Sequence, residues 1–132
     1  MENIEACEVP ETLKHHVYVL FSRQRPNFVK VGRSKSVARI RALQRMNYAD
    51  VVDWYPHRII TLDTFQAAVA VEAMTHARLV NQGLNITRFT WTRLPDQKEC
   101  WADECFRCHP SQAASVAEEM KLVYERYVAQ MS

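Results

Sequence analysis

Two short apolar runs, His16-Val17-Tyr18-Val19-Leu20-Phe21 and Phe28-Val29-Lys30-Val31-Gly32, stand six residues apart near the start of the chain. Both are rich in Val and aromatic residues, and Arg25-Pro26-Asn27 lies between them, so paired antiparallel strands are the economical reading. Side chains alternate faces along a strand, and Tyr18 and Lys30 each interrupt an otherwise hydrophobic stretch. Polar groups so placed need partners. The second run leads directly into Arg33-Ser34-Lys35-Ser36-Val37-Ala38-Arg39-Ile40-Arg41-Ala42-Leu43-Gln44, which reads as the start of an amphipathic helix.

Gly32 is one of only two glycines. Between a strand and a basic loop it serves either as a positive-φ hinge or as a missing side chain that lets a ligand or backbone come close.

The remaining elements follow from local signals. Trp54 to Leu62 reads as a third strand, with Pro56 at its start or on a sheet edge, because proline cannot donate to a ladder. Asp63 or Thr64 caps a helix running through Gln82 and ended by Gly83. In that helix Phe65, Val69, Glu72, His76 and Val80 recur at helical spacing, which predicts one apolar stripe interrupted at its centre by a carboxylate and an imidazole. Thr87 to Thr92 alternates like a short strand or forms an extended loop, and Pro95-Asp96 turns. From Pro110 to Met131, Ala113, Val116, Ala117, Met120, Val123, Tyr124, Tyr127 and Met131 predict a core-facing terminal helix. The expected architecture is a small α/β domain with a central antiparallel sheet of three or more strands packed with helices.

At 132 residues, 48% hydrophobic and 24% charged, the chain suits one globular domain. Residues 1–12, with Glu2, Glu5, Glu8, Glu11 and Pro10, read as an acidic, flexible leader, and 13–132 as the domain. No run approaches the ~20 apolar residues of a membrane span, and no signal peptide is evident, so a cytoplasmic protein is expected.

The net charge of +2 conceals a strong asymmetry. From Thr12 to Ala49 there is no Asp or Glu, whereas Lys14, Arg23, Arg25, Lys30, Arg33, Lys35, Arg39, Arg41 and Arg45, nine of the seventeen basic residues, lie within it. Such a segment is the electrostatic footprint of a phosphate-backbone partner.

Val17-Tyr18-Val19-Leu20, then Val29-Lys30-Val31-Gly32, then Arg39 seven residues on, in their order and spacing, resemble the GIY-YIG nuclease superfamily. The similarity is to the branch with V-K-I-G as second motif, R-[IL]-x-x-L-Q in the following helix and E-x-x-x-H in the next. Here these are Arg39-Ile40-Arg41-Ala42-Leu43-Gln44 and Glu72-Ala73-Met74-Thr75-His76. Asp103-Glu104-Cys105-Phe106-Arg107 resembles the family's E-W-F element, and a rival register places Glu99-Cys100-Trp101 there.

The resemblance implies hydrolysis of DNA phosphodiester bonds with one divalent ion, Mg2+ or Mn2+, held by Glu72 as the single protein carboxylate. It implies that Tyr18 orients or deprotonates the attacking water and that Arg39 neutralises charge on the phosphoryl oxygens. Lys30 would favour the Tyr18 phenolate or contact the scissile phosphate, and His76 is a second candidate for proton transfer. Arg33, Lys35, Arg41 and Arg45 are the expected nucleic-acid contacts.

His16 and Val17 stand where the first motif has glycine and isoleucine, and Lys30 replaces the second tyrosine. These departures sustain an alternative, a catalytically inactive nucleic-acid- or partner-binding module on the same fold. Cys100, Cys105, Cys108 and His109 have the spacing C-x4-C-x2-C-H, outside the paired zinc-knuckle patterns, so structural zinc is not expected, and a zinc-stabilised interaction domain is a third reading.

Overall fold

A computed structural model describes residues 4–7, 15–35 and 38–131. Its strands are β1 (His15–Ser22), β2 (Val29–Ser34), β3 (Trp54–Leu62), β4 (Phe89–Thr92), β5 (Glu99–Ala102) and β6 (Cys105–Phe106). Its helices are α1 (Ala38–Arg45), α2 (Phe65–Asn81) and α3 (Pro110–Met131). Strands β3, β1, β2 and β6 form an antiparallel sheet in that order, and β4 pairs with β5.

The expected hairpin is β1 and β2, with Tyr18 opposite Gly32 and Leu20 opposite Lys30. Its connection is pinned by Asp53, which accepts hydrogen bonds from the Ser22 hydroxyl at 2.5 Å and from the backbone N–H of Arg23 and Gln24. The second strand continues to Ser34 and α1 begins at Ala38, later than the sequence suggests. β3 is an edge strand, as Pro56 requires, and its pairing with β1 shifts register between Val19 and Leu20, leaving His57 as the extra residue.

The alternation along β1 and β2 divides the core in two. Val17, Val19, Phe21, Val29 and Val31 face α2 and α3, and Tyr18, Leu20, Phe28 and Lys30 face the side covered by α1, a 3-10 turn at Tyr48–Asp50 and the β4–β5 pair. On that second side Trp54 is fully buried and donates its indole N–H to the Tyr48 carbonyl at 2.9 Å.

Thr64 caps α2, its hydroxyl accepting from the Ala67 N–H at 3.0 Å, a contact worth about 1 kcal/mol. The buried face of α2 is not the predicted stripe but Ala67, Ala68, Val71, Thr75 and Leu79, while Phe65 is 47% and Val80 48% exposed. Alanine and valine occur on several faces of this helix, so periodicity alone does not select one. Glu72 and His76 therefore stand beside the helix–sheet contact, not at its centre.

Burial along α3 ends at Met120, with Tyr124 partly covered; Val123, Tyr127 and Met131, expected in the core, are exposed. At 22 residues, about 33 Å long, the helix outruns the body it packs on.

Of the glycines only Gly83 has positive φ, at 74°, just past α2. Gly32 is not a hinge: it lies inside β2, where the Tyr18 ring crosses directly over it. Of the expected leader, residues 1–3 and 8–12 lie outside the described residues. Within it Cys7 donates its N–H to the Pro56 carbonyl at 2.8 Å, and the Ile4 carbonyl accepts from Arg23.

Candidate functional site

The site begins at the outer edge of β2. Only two residues of β6 pair with this strand, so its edge is open beyond Lys30, and Val31 points both backbone groups outward. The Val31 N–H donates to the Glu104 carbonyl at 3.2 Å, and its own carbonyl accepts from His76 Nε2 at 2.7 Å. One residue thus joins α2 on one side to the bend after β5 on the other.

The bend belongs to a longer ribbon. Phe89 opposite Ala102 and Asn85 opposite Phe106 share one register, which Arg107 N–H to Leu84 carbonyl and Arg93 N–H to Lys98 carbonyl extend in both directions. β5 and β6 are two halves of the same arm, broken at Asp103 and Glu104. This break turns the Glu104 side chain to the site.

Lys30 is 1% exposed, the sole buried Asp, Glu, Lys or Arg among the described residues. Its Nζ lies 2.5 Å from Glu104 Oε2, 4.8 Å from the Tyr48 ring centroid and 5.4 Å from that of Tyr18. Burial alone would favour loss of its proton. The charges of Tyr18, Glu104 and Tyr48 and the hydrogen bond that the ammonium donates to Glu104 outweigh that and hold the ammonium above the usual lysine range. For Glu104 burial pushes upward, but Lys30, with His76 and Arg39 adding their charge, keeps the carboxyl below its ordinary value. Burial drives the Tyr48 phenol upward despite Lys30.

Glu72 reaches the same region from α2, its side chain 15% exposed and its Oε1 3.4 Å from Arg33 Nε. Burial, then the charge of Glu104, raises its pKa, against the opposing pull of His76, Arg33 and Lys30. Phe65 supports this pair from outside, its ring centroid 5.1 Å from the Arg33 guanidinium.

Tyr18, Lys30, Glu72 and His76 thus gather around the open edge of β2, and Arg39, at the second position of α1, is close enough to influence Glu104. Arg39, Arg41, Arg45 and Lys35 are exposed. Lys30 does not extend to solvent, and the Nε2 proton of His76 is given to a backbone carbonyl, which leaves Nδ1 as its other polar atom.

Sequence reasoning gave Glu104 no chemical role. The signal was available: an inward lysine demands an acid, and with no Asp or Glu between Thr12 and Ala49 that acid had to come from outside this segment. Tyr48, stacked against the same ammonium, carried no comparable signal.

Cys105 lies in the cluster with Tyr18 and Cys108 in the one beneath α2 and α3, on opposite faces of the sheet. Burial pushes their thiols up to about 12 and about 11. Among the described residues no three of His, Cys, Asp and Glu converge to hold a metal ion, and no helix is long and apolar enough to cross a membrane.

No curated protein and no solved structure matched the chain. A family model for the T5orf172 domain matches residues 15–121, from the first residue of β1 to midway along α3, and so spans the sheet, the ribbon and every residue of the candidate site. The chain belongs to the T5orf172 domain family.

Proposed function

We propose that the protein is a divalent-metal-dependent DNA endonuclease of GIY-YIG type. The observation that carries this reading is the meeting of a buried tyrosine, a charged lysine, an accessible carboxylate and a histidine at one sheet edge, beside the exposed basic residues of α1. Membership of a nuclease-associated family supports it.

The donor set fits a hard cation. Glu72 offers carboxylate oxygens at a partly exposed position, and Mg2+ or Mn2+ is commonly bound by one or two carboxylates, with waters and phosphate oxygens completing the shell. When bound, such an ion supplies charge for the phosphoryl oxygens and a more acidic water. Tyr18, whose ring lies over Gly32, orients the attacking water, and Arg39 counters the charge that develops on phosphorus-bound oxygens. Lys35, Arg41 and Arg45 contact the DNA backbone. Structural zinc has no part in this reading.

The Arg33–Glu72 ion pair favours a second reading, a nucleic-acid-binding module without catalysis, because it engages the carboxylate that catalysis requires. Nicking of supercoiled plasmid by purified protein with Mg2+, Mn2+ or EDTA discriminates the two. Metal-dependent nicking that Glu72→Gln abolishes while the fold survives is the expected result. DNA binding with no nicking under any metal condition removes the nuclease reading, and wild-type nicking by a folded Glu72→Gln protein removes Glu72 from the site.

A further inference from the structure

A charge buried as deeply as that of Lys30 is seldom the most stable solution for the space it fills, since apolar residues of similar volume usually serve as well or better. Lys30 and Glu104 are nevertheless held with some elaboration. The carboxylate comes from a break in the ribbon, its own backbone carbonyl is fixed by Val31, and the ammonium is enclosed by the rings of Tyr18 and Tyr48.

Lysine is flexible and carries a compact charge that phosphate attracts. Placed freely beside a DNA backbone, its ammonium would swing toward the nearest phosphate. Glu104 opposes this: its Oε2 takes the ammonium at 2.5 Å while its side chain remains 37% exposed, so it stands between Lys30 and solvent.

We propose that Glu104 is a positioning residue of the hydrolytic site, tethering the Lys30 ammonium beneath the Tyr18 ring so that its charge acts on the attacking group and not on the DNA backbone. The proposal rests on the nuclease reading above. It explains how a lysine at this strand position contributes to the reaction without touching substrate. It also assigns the ribbon a task, that of delivering one carboxylate to the strand edge.

The test compares wild type, Glu104→Gln, Glu104→Asp and the double variant Lys30→Met/Glu104→Leu. Thermal midpoint, DNA dissociation constant by fluorescence anisotropy, and single-turnover cleavage at saturating DNA are measured for each. The double variant should fold with a midpoint at or above that of wild type, bind DNA within about twofold, and cleave about 10- to 100-fold more slowly, as loss of orientation at a reacting group predicts. Glu104→Gln should show the same split between binding and rate, and Glu104→Asp should recover part of the rate.

Wild-type cleavage by the double variant overturns the proposal, as does a double variant that fails to fold, because the pair would then serve the fold. A fall in affinity that accounts for the whole loss of rate also overturns it, because Lys30 would then be a phosphate contact. These failures differ from that of the nuclease reading, in which the wild-type protein itself cuts nothing and both proposals fall.

Discussion

Replacing Gly32 by alanine should disable the site with a modest loss of stability. A Cβ at this position would stand 2.6 Å from the Tyr18 Oη, 2.7 Å from Cζ and 2.8 Å from Cε1. Ordinary contact between such atoms is about 3.5 Å, so the ring must retreat by about 1 Å. It cannot do so freely, because Tyr18 is buried among Leu20, Leu43, Tyr48 and the Lys30 ammonium. Since Gly32 is not at positive φ, the effect is steric and carries no backbone strain. Overpacking of this kind costs about 1–3 kcal/mol. A 1 Å displacement of a group that orients a reactant costs about 100-fold in rate. Urea unfolding and single-turnover plasmid nicking measure the two quantities. Gly83→Ala is the control: at φ 74° with open space around it, it should lose about 1 kcal/mol through backbone strain and leave nicking unchanged. Tyr18→Phe removes the hydroxyl, the nearest of the clashing atoms, but keeps Cζ and Cε1, so adding Gly32→Ala to it should still reduce stability, with little further loss of rate. A folded Gly32→Ala protein that nicks at the wild-type rate would refute the placement of Tyr18 at the reacting centre.

Three further outcomes are expected. DNA affinity should fall steeply with salt, and Arg41→Ala together with Arg45→Ala, both exposed on α1, should reduce the slope of log affinity against log salt by about 2; an unchanged slope would move the DNA contact elsewhere. Cys105 and Cys108, buried and with raised thiol pKa values, should resist iodoacetamide in the native protein and react in urea, with mass spectrometry reading the difference. The Lys30–Glu104 pair should also make stability acid-sensitive. The lowered carboxyl of Glu104 contributes stability that is present above its unfolded value of about 4.3 and lost as pH falls through its folded one, and the raised ammonium of Lys30 contributes stability that is present below about 10.4 and lost at higher pH. Urea unfolding from pH 8 to pH 3 should therefore show the Lys30→Met/Glu104→Leu variant gaining on wild type below about pH 4; parallel curves would mean that the pair is not formed.

Local chemistry made much of the fold legible. The valine and aromatic runs of β1 and β2, Pro56 in edge strand β3, the Thr64 cap and Gly83 end of α2, and Pro110 opening α3 act through neighbours in the chain, so their meaning can be read without the fold. Tyr18, Lys30, Glu72 and His76 were also visible as polar residues interrupting apolar patterns. What they touch was not. The buried face of α2 depends on where the sheet edge lies, because its alanines and valines offer more than one apolar stripe. Gly32 is required by a ring from the neighbouring strand, whereas its own surroundings in sequence offered either a hinge or a close approach by a ligand or backbone. Glu104 meets Lys30 across 74 residues, through a ribbon whose break no local pattern announces. A strand's pattern says that an inward lysine needs an acid, and only the tertiary structure, by bringing a distant bend to the open edge of β2, decides which one.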